Sequence, residues 1–144
     1  MTDSKTTCDF LNQVVAILGS SLPMYLSNAG PWVRRGLEKA EETLELVVVD
    51  QRRSIDRLSR LVMDLGGEPF SPSFPASYTG LNDVSLDYLL DLIAKQQAGN
   101  IDKVQVIVQA LPEDSTARTL VEQTLGAARG HLETLQELAT GSAT

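Results

Sequence analysis

Residues 37–69 read LEKAEETLELVVVDQRRSIDRLSRLVMDLGGEP. Steps of three and four along this stretch pick out Leu37, Ala40, Leu44, Val47, Gln51, Ser54, Leu58, Leu61 and Leu65. That period is the apolar stripe of an amphipathic helix. Two of its central rungs, Gln51 and Ser54, are polar. A polar group facing a core costs about 1–3 kcal/mol unless it finds a partner. The pair therefore predicts either a hydrogen-bonded centre or a ligand site between helices. Gly66 and Gly67, followed by Pro69, close the helix.

The same period extends outward in both directions. A first helix is predicted over residues 9–27, with Leu11, Val15, Leu18, Leu22, Tyr25 and Ala29 on one stripe and Pro23 bending it. Asn28, Ala29 and Gly30 form a stop, and Pro31 suits the first turn of the second helix, which runs to Leu65. The next segment carries Pro69, Pro72, Pro75 and Gly80, with Phe70, Phe74 and Tyr78 to pack it down as a crossover. A third helix starts near Ser85, with Leu86, Leu90, Ala94, Gln97, Ile101, Val104 and Val108 in its seam. Leu111-Pro112 ends it, and Asp114 or Ser115 caps the fourth, whose seam is Ala117, Val121, Thr124, Ala128, His131, Leu135 and Leu138. The valine-rich runs at 47–49 and 104–108 favour strands by propensity, but each lies inside a longer helical period. The prediction is an all-α protein: an antiparallel four-helix bundle with one long crossover between helices 2 and 3, around residues 68–83. It is one domain over residues 1–144, with frayed ends at about 1–7 and 140–144.

Composition narrows the functional classes. A chain of 144 residues with 42% hydrophobic content has room for one core. The net charge of −7 and a pI near 4.6 argue against nucleic acid or an anionic membrane as partner. The 12 Lys and Arg look scattered, whereas Glu38, Glu41, Glu42 and Glu45 form an acidic, solvated helix face, with Glu38 favourably placed near the helix start. The lone Cys8 excludes an internal disulfide and a Cys-rich zinc site, and no basic neighbour in sequence would activate it. The start MTDSKTTCDF lacks the features of a signal peptide, and no apolar run has membrane-spanning length, so the expected location is cytoplasmic.

When the four seams face one axis, their polar members meet: Tyr25, Gln51, Ser54, Gln97, Thr124 and His131. This set predicts a polar knot that fixes helix register. One histidine among amides and hydroxyls is not a di-iron ligand set.

The quoted segments, in their order, resemble those of the bacterioferritins within the ferritin-like superfamily. LNQVVAILGSSLPMYL (11–26) is similar to that family's first helix, LGGEP (65–69) to its second-helix end, DVSLDYLLDL (83–92) to the approach to its third helix, and GHLETLQEL (130–138) to the stretch with its last ligand histidine. The resemblance covers residues 11–138 and implies a ferritin-like four-helix bundle. It also implies a degenerate di-iron site. The first-helix Glu of the family falls on Leu18, the second-helix Glu-x-x-His on Gln51 and Ser54, the third-helix Glu near Ala94, and the fourth-helix Glu on Ala128. Only the last ligand is kept, as His131, and the haem-ligating methionine falls on Arg52. Without the carboxylates that hold and bridge two irons, ferroxidase chemistry is not expected. No cofactor is expected, neither haem nor di-iron.

Further expectations attach to single residues. His131 is expected as a neutral core histidine bonded to Gln51 or Tyr25, the alternative being a vestigial ligand. Asp50 lies one step off the seam, where pairing with Arg53 competes with weak cation binding. A relocated metal site would have to draw on Glu45, Asp50, Asp91 and His131. Leu46, Val48 and Val49 lie off the predicted seam, and an apolar patch there suggests a homodimer through helix 2. A many-subunit cage is the weaker expectation from the resemblance, since the short extra helix of many cage-forming relatives is not seen before Thr144. Three functions compete: a non-catalytic structural or interaction protein, a small-ligand binder using the polar centre or the aromatic loop at 70–78, and a metalloprotein with relocated ligands.

Overall fold

A computed structural model describes residues 3–29, 38–81 and 86–142. Among these residues every regular element is helical: α1 (Ser4–Gly19), α2 (Leu22–Ala29), α3 (Glu38–Asp64), a 3-10 helix (Ala76–Leu81), α4 (Leu86–Ala110) and α5 (Thr116–Ser142). The expected boundaries at Gly30, Pro31 and Ser85 lie outside the described residues.

The first helix begins earlier than its apolar period suggests. Asp3 caps it, its carboxylate accepting the Thr6 N–H at 2.7 Å. That backbone hydrogen bond holds the Asp3 carboxyl below its ordinary range. Thr7 and Cys8 are buried in the extra turn, so the residues expected to fray at the N-terminus are mostly helix.

The bend expected at Pro23 is a break two to three residues before it. Ser20 ends α1 and Ser21 leads into α2, which places Pro23 in a first turn, where its missing N–H removes no helix bond. A break exposes backbone groups, and distant side chains satisfy them here. The Gln96 side chain accepts the Leu22 N–H at 2.8 Å, and the Tyr78 hydroxyl donates to the Ser20 carbonyl at 3.0 Å. Gln96 Nε2 donates in turn to the Tyr78 oxygen. Tyr78→Phe removes both hydroxyl bonds and is expected to lower stability by about 1–2 kcal/mol, read from the midpoint of urea unfolding.

The crossover is clamped onto α1. The Asn12 side chain donates to the Glu68 carbonyl and accepts the Phe70 N–H, both at 3.0 Å. Gly19 lets Pro72 approach so closely that an added Cβ would lie 2.1 Å from the proline ring. Phe74 and Tyr78 pack around Tyr25 with ring centroids 5.2 and 5.3 Å away. Phe70, expected to pack down, is instead 48% exposed.

α3 ends as its sequence predicts. Gly66 takes φ +88°, Gly67 N–H bonds to the Val62 carbonyl and Gly66 N–H to that of Met63. This is the Schellman pattern, which needs a left-handed residue after the helix. At the other hairpin Ser115, rather than Asp114, caps α5, its hydroxyl accepting the Arg118 N–H at 3.1 Å.

α3 buries Ala40, Thr43, Leu44, Val47, Val48, Gln51, Leu58 and Val62. That stripe is wider than the one read from the sequence, since Thr43, Val48 and Val62 join it beside Ala40, Leu44, Val47, Gln51 and Leu58. Val48 is therefore 4% exposed and belongs to the core, whereas Leu46 (58%) and Val49 (49%) face out. The expected outward patch loses Val48. A helix contacting several neighbours needs the wider stripe, and α3 packs against α1, α2 and α5.

The core has two parts. One joins α1 with Leu58 and Val62 of α3, residues 101–111, and Ala117, Val121 and Leu125 of α5. The other joins Leu22 and Leu26 of α2 with Ala40 and Leu44 of α3, residues 89–94 of α4, and Leu135 of α5.

A candidate polar centre

The polar seam residues fall between the two clusters. On α3 Gln51 and Ser54 separate Leu44 from Leu58, on α4 Gln97 separates Ala94 from Ile101, and on α5 Ala128 and His131 separate Leu125 from Leu135. Leu18, Gln51, Ser54, Gln97, Thr124, Ala128 and His131, together with Asp50 and Ala127, line one void of about 20 Å³. Five of the six positions matched to metal ligands thus converge. Ala94 does not, because it packs with Leu89, Leu90, Ile93 and Leu135 in the second core cluster. Gln97, one turn later, takes the α4 place at the void. Tyr25 is absent from the lining too, being drawn into the aromatic group with Phe74 and Tyr78.

The hydrogen bonds differ from the expected ones in their partners. Gln51 is 6% exposed, and its amide oxygen accepts the Ser21 hydroxyl at 2.9 Å. Ser21 also accepts the Met24 N–H, so one buried hydroxyl caps α2 and satisfies α3. Gln97, 4% exposed, donates to the Ala128 carbonyl at 3.1 Å, and Thr124 donates to that of Leu120 at 3.0 Å. His131 bonds neither Gln51 nor Tyr25. Its Nε2 lies 2.7 Å from Asp50 Oδ2, joining α5 to α3. The expected Asp50–Arg53 pair is only a long contact of 3.9 Å. No buried side-chain nitrogen or oxygen among the described residues lacks a partner.

The remaining metal candidates disperse. Glu45 is exposed, and Asp91 pairs with Lys95 at 2.9 Å, a bond that holds the Lys95 ammonium above its ordinary range. Only Asp50 and His131 meet, and no group of three His, Cys, Asp or Glu able to hold a metal occurs among the described residues. Tested against a di-iron group, the donor set does not fit. One imidazole and one carboxylate, already bonded to each other, share the void with amides, hydroxyls and Leu18, and two irons need several bridging carboxylates. A void of about 20 Å³ holds one water.

His131→Ala removes the α3–α5 link. Its expected cost is about 1–2 kcal/mol, the low side of the range for such bonds because the Asp50 side chain is 39% exposed. Urea unfolding reads it, and Asp50→Asn with His131→Ala should then cost little more than either alone.

The sequence reading missed Ser21, Asp50 as the histidine's partner, and Gln96. Ser21 carried a local signal, a serine two residues before a proline, which suits a helix cap. Asp50 and Gln96 carried none, since their partners lie 81 and 74 residues away.

No protein-family model matches the chain, and no curated protein or solved structure shows significant similarity to it. No helix among the described residues is long and apolar enough to cross a membrane.

Proposed function

We propose that this chain is a ferritin-like four-helix bundle whose di-iron centre has been replaced by a hydrogen-bonded knot, and that it acts as a non-catalytic structural or interaction protein. The two core clusters support the bundle. Taken through them in chain order, α1–α2 and α5 run from the first cluster to the second, while α3 and α4 run the other way. Two like-directed helices in succession require a long connection, which residues 65–85 supply. One crossover between the two antiparallel pairs is the ferritin-like order.

The observation that carries the function is the closure of the centre. Gln51, Gln97, Thr124 and His131 each commit one polar atom to another protein group, beside a space with room for one water. A reaction centre keeps a position open for substrate, and the space among Leu18, Gln51, Gln97 and His131 is too small for more than a water. Leu46 and Val49, exposed one turn apart on α3, support a homodimer through that helix.

Protein purified without added iron is expected to contain no stoichiometric iron by elemental analysis and to oxidise Fe(II) no faster than buffer. Light scattering is expected to give the dimer mass, falling to the monomer mass when Leu46 and Val49 are both replaced by Asp. Stoichiometric iron would overturn the non-catalytic reading, and a wild-type monomer at high concentration would overturn the dimer.

A further inference from the structure

The charge pattern of α3 takes on a different meaning in three dimensions. Four of the chain's 12 basic residues, Arg52, Arg53, Arg57 and Arg60, fall within residues 52–60. Arg53 and Arg57, one turn apart, flank a groove of about 220 Å³ between α3 and α5. Leu120 and Ala127 give it a small apolar surface, and Ser54, Gln123 and Thr124 add polar groups. Two arginines outside the groove are committed: Arg60 pairs with Asp56 at 3.2 Å, and Arg118 with Glu122 at 2.9 Å. Those beside it are not. Arg57 has no carboxylate partner among the described residues, and Arg53 reaches Asp50 only at 3.9 Å, beyond hydrogen-bond distance. The other Asp50 oxygen is held by His131, which keeps this carboxylate at the end of the groove. One unpaired and one loosely paired guanidinium along one groove are complementary to an anion.

We propose that the α3–α5 groove binds a small carboxylate with a short apolar body, its carboxylate on Arg53 and Arg57 and its body on Leu120 and Ala127. The guanidinium fork matches a planar carboxylate in two parallel hydrogen bonds. An apolar surface adds nothing to a bare phosphate but favours an aromatic or branched body. The groove is smaller than the usual 300–1,000 Å³ of drug-sized sites, so the ligand is small. The site is independent of the ancestry proposed for the centre.

The test follows the arginine Nε–H signals of the full chain by NMR while benzoate, benzyl alcohol or inorganic phosphate is added. Benzoate is expected to move the Arg53 and Arg57 signals saturably, with a Kd on the order of 1 mM. Benzyl alcohol and phosphate are expected to bind at least about tenfold more weakly. Arg57→Gln is expected to weaken benzoate about tenfold or more, whereas Arg60→Gln, whose arginine is paired with Asp56 outside the groove, leaves it unchanged. Unsaturable benzoate shifts, or undiminished affinity in Arg57→Gln, would overturn the site. Phosphate binding as well as benzoate would overturn the ligand class.

Discussion

Val48→Asp is expected to unfold the protein or bring it close to unfolding. Val48 is 4% exposed on the inner side of α3, and the basic residue one turn along, Arg52, is itself exposed to solvent. An unpartnered buried carboxylate costs about 3–5 kcal/mol, against a total stability of about 5–15 kcal/mol for a domain. The carboxylate escapes part of that cost only by taking a proton, so the deficit should shrink as pH falls toward the carboxylate range. The adjacent Val49→Asp is the control. Val49 is 49% exposed, and at concentrations low enough for the chain to be monomeric an exposed substitution changes stability by no more than about 0.5 kcal/mol. Urea midpoints of the two variants, measured side by side, decide the matter. Val48→Asp with a wild-type midpoint would mean that α3 is rotated about its axis relative to the packing described above.

The second expected result is a gain of metal. A variant carrying Leu18→Glu, Gln51→Glu, Ser54→His, Gln97→Glu and Ala128→Glu places five new side chains with His131 around the central void. Without metal, four crowded carboxylates repel one another and are poorly solvated, so the apoprotein should be much less stable than the parent. Fe(II) added under anaerobic conditions should offset this, because a metal that binds only the folded state stabilises it by mass action. At a hundredfold excess over Kd the gain is about 2.7 kcal/mol, or about 10 °C in Tm for a domain of this size. The same variant built with Ala94→Glu in place of Gln97→Glu should respond less, because Ala94 packs in the second core cluster. A folded five-site variant that takes up no iron would remove the ground for the ferritin-like proposal.

Much of this fold is legible locally. The seam of residues 37–69 predicts α3, and Gly66-Gly67 predicts its Schellman end, because both depend on residues within one or two turns. The polar rungs Gln51, Gln97, Thr124 and His131 also lie at one level of the structure, since their spacing from the flanking apolar residues is written in each helix. Two positions of the centre were misjudged. Ala94 and Gln97 share a seam one turn apart, and only the axial register of α4 decides which one reaches the void. Tyr25 was drawn away by Phe74 and Tyr78, from a crossover whose path has no helical period to follow.

The sequence by itself determined the helices, several of their caps and stops, and a band of polar residues midway along the helices, because periodicity and capping are short-range properties. Tertiary structure decided the rest. Val48 and Val49 are adjacent and chemically identical, and about 100° of rotation on α3 buries one and exposes the other. The break between α1 and α2 exists where Gln96 and Tyr78 can satisfy its backbone. Asp50 meets His131 only across the α3–α5 contact, and that contact also sets two arginines that looked scattered along the α3 wall of one groove. Apart from that break, the deciding quantity is the rotation or axial shift of one helix against another. Those are set by the sum of many packing contacts, and no short stretch of residues encodes them.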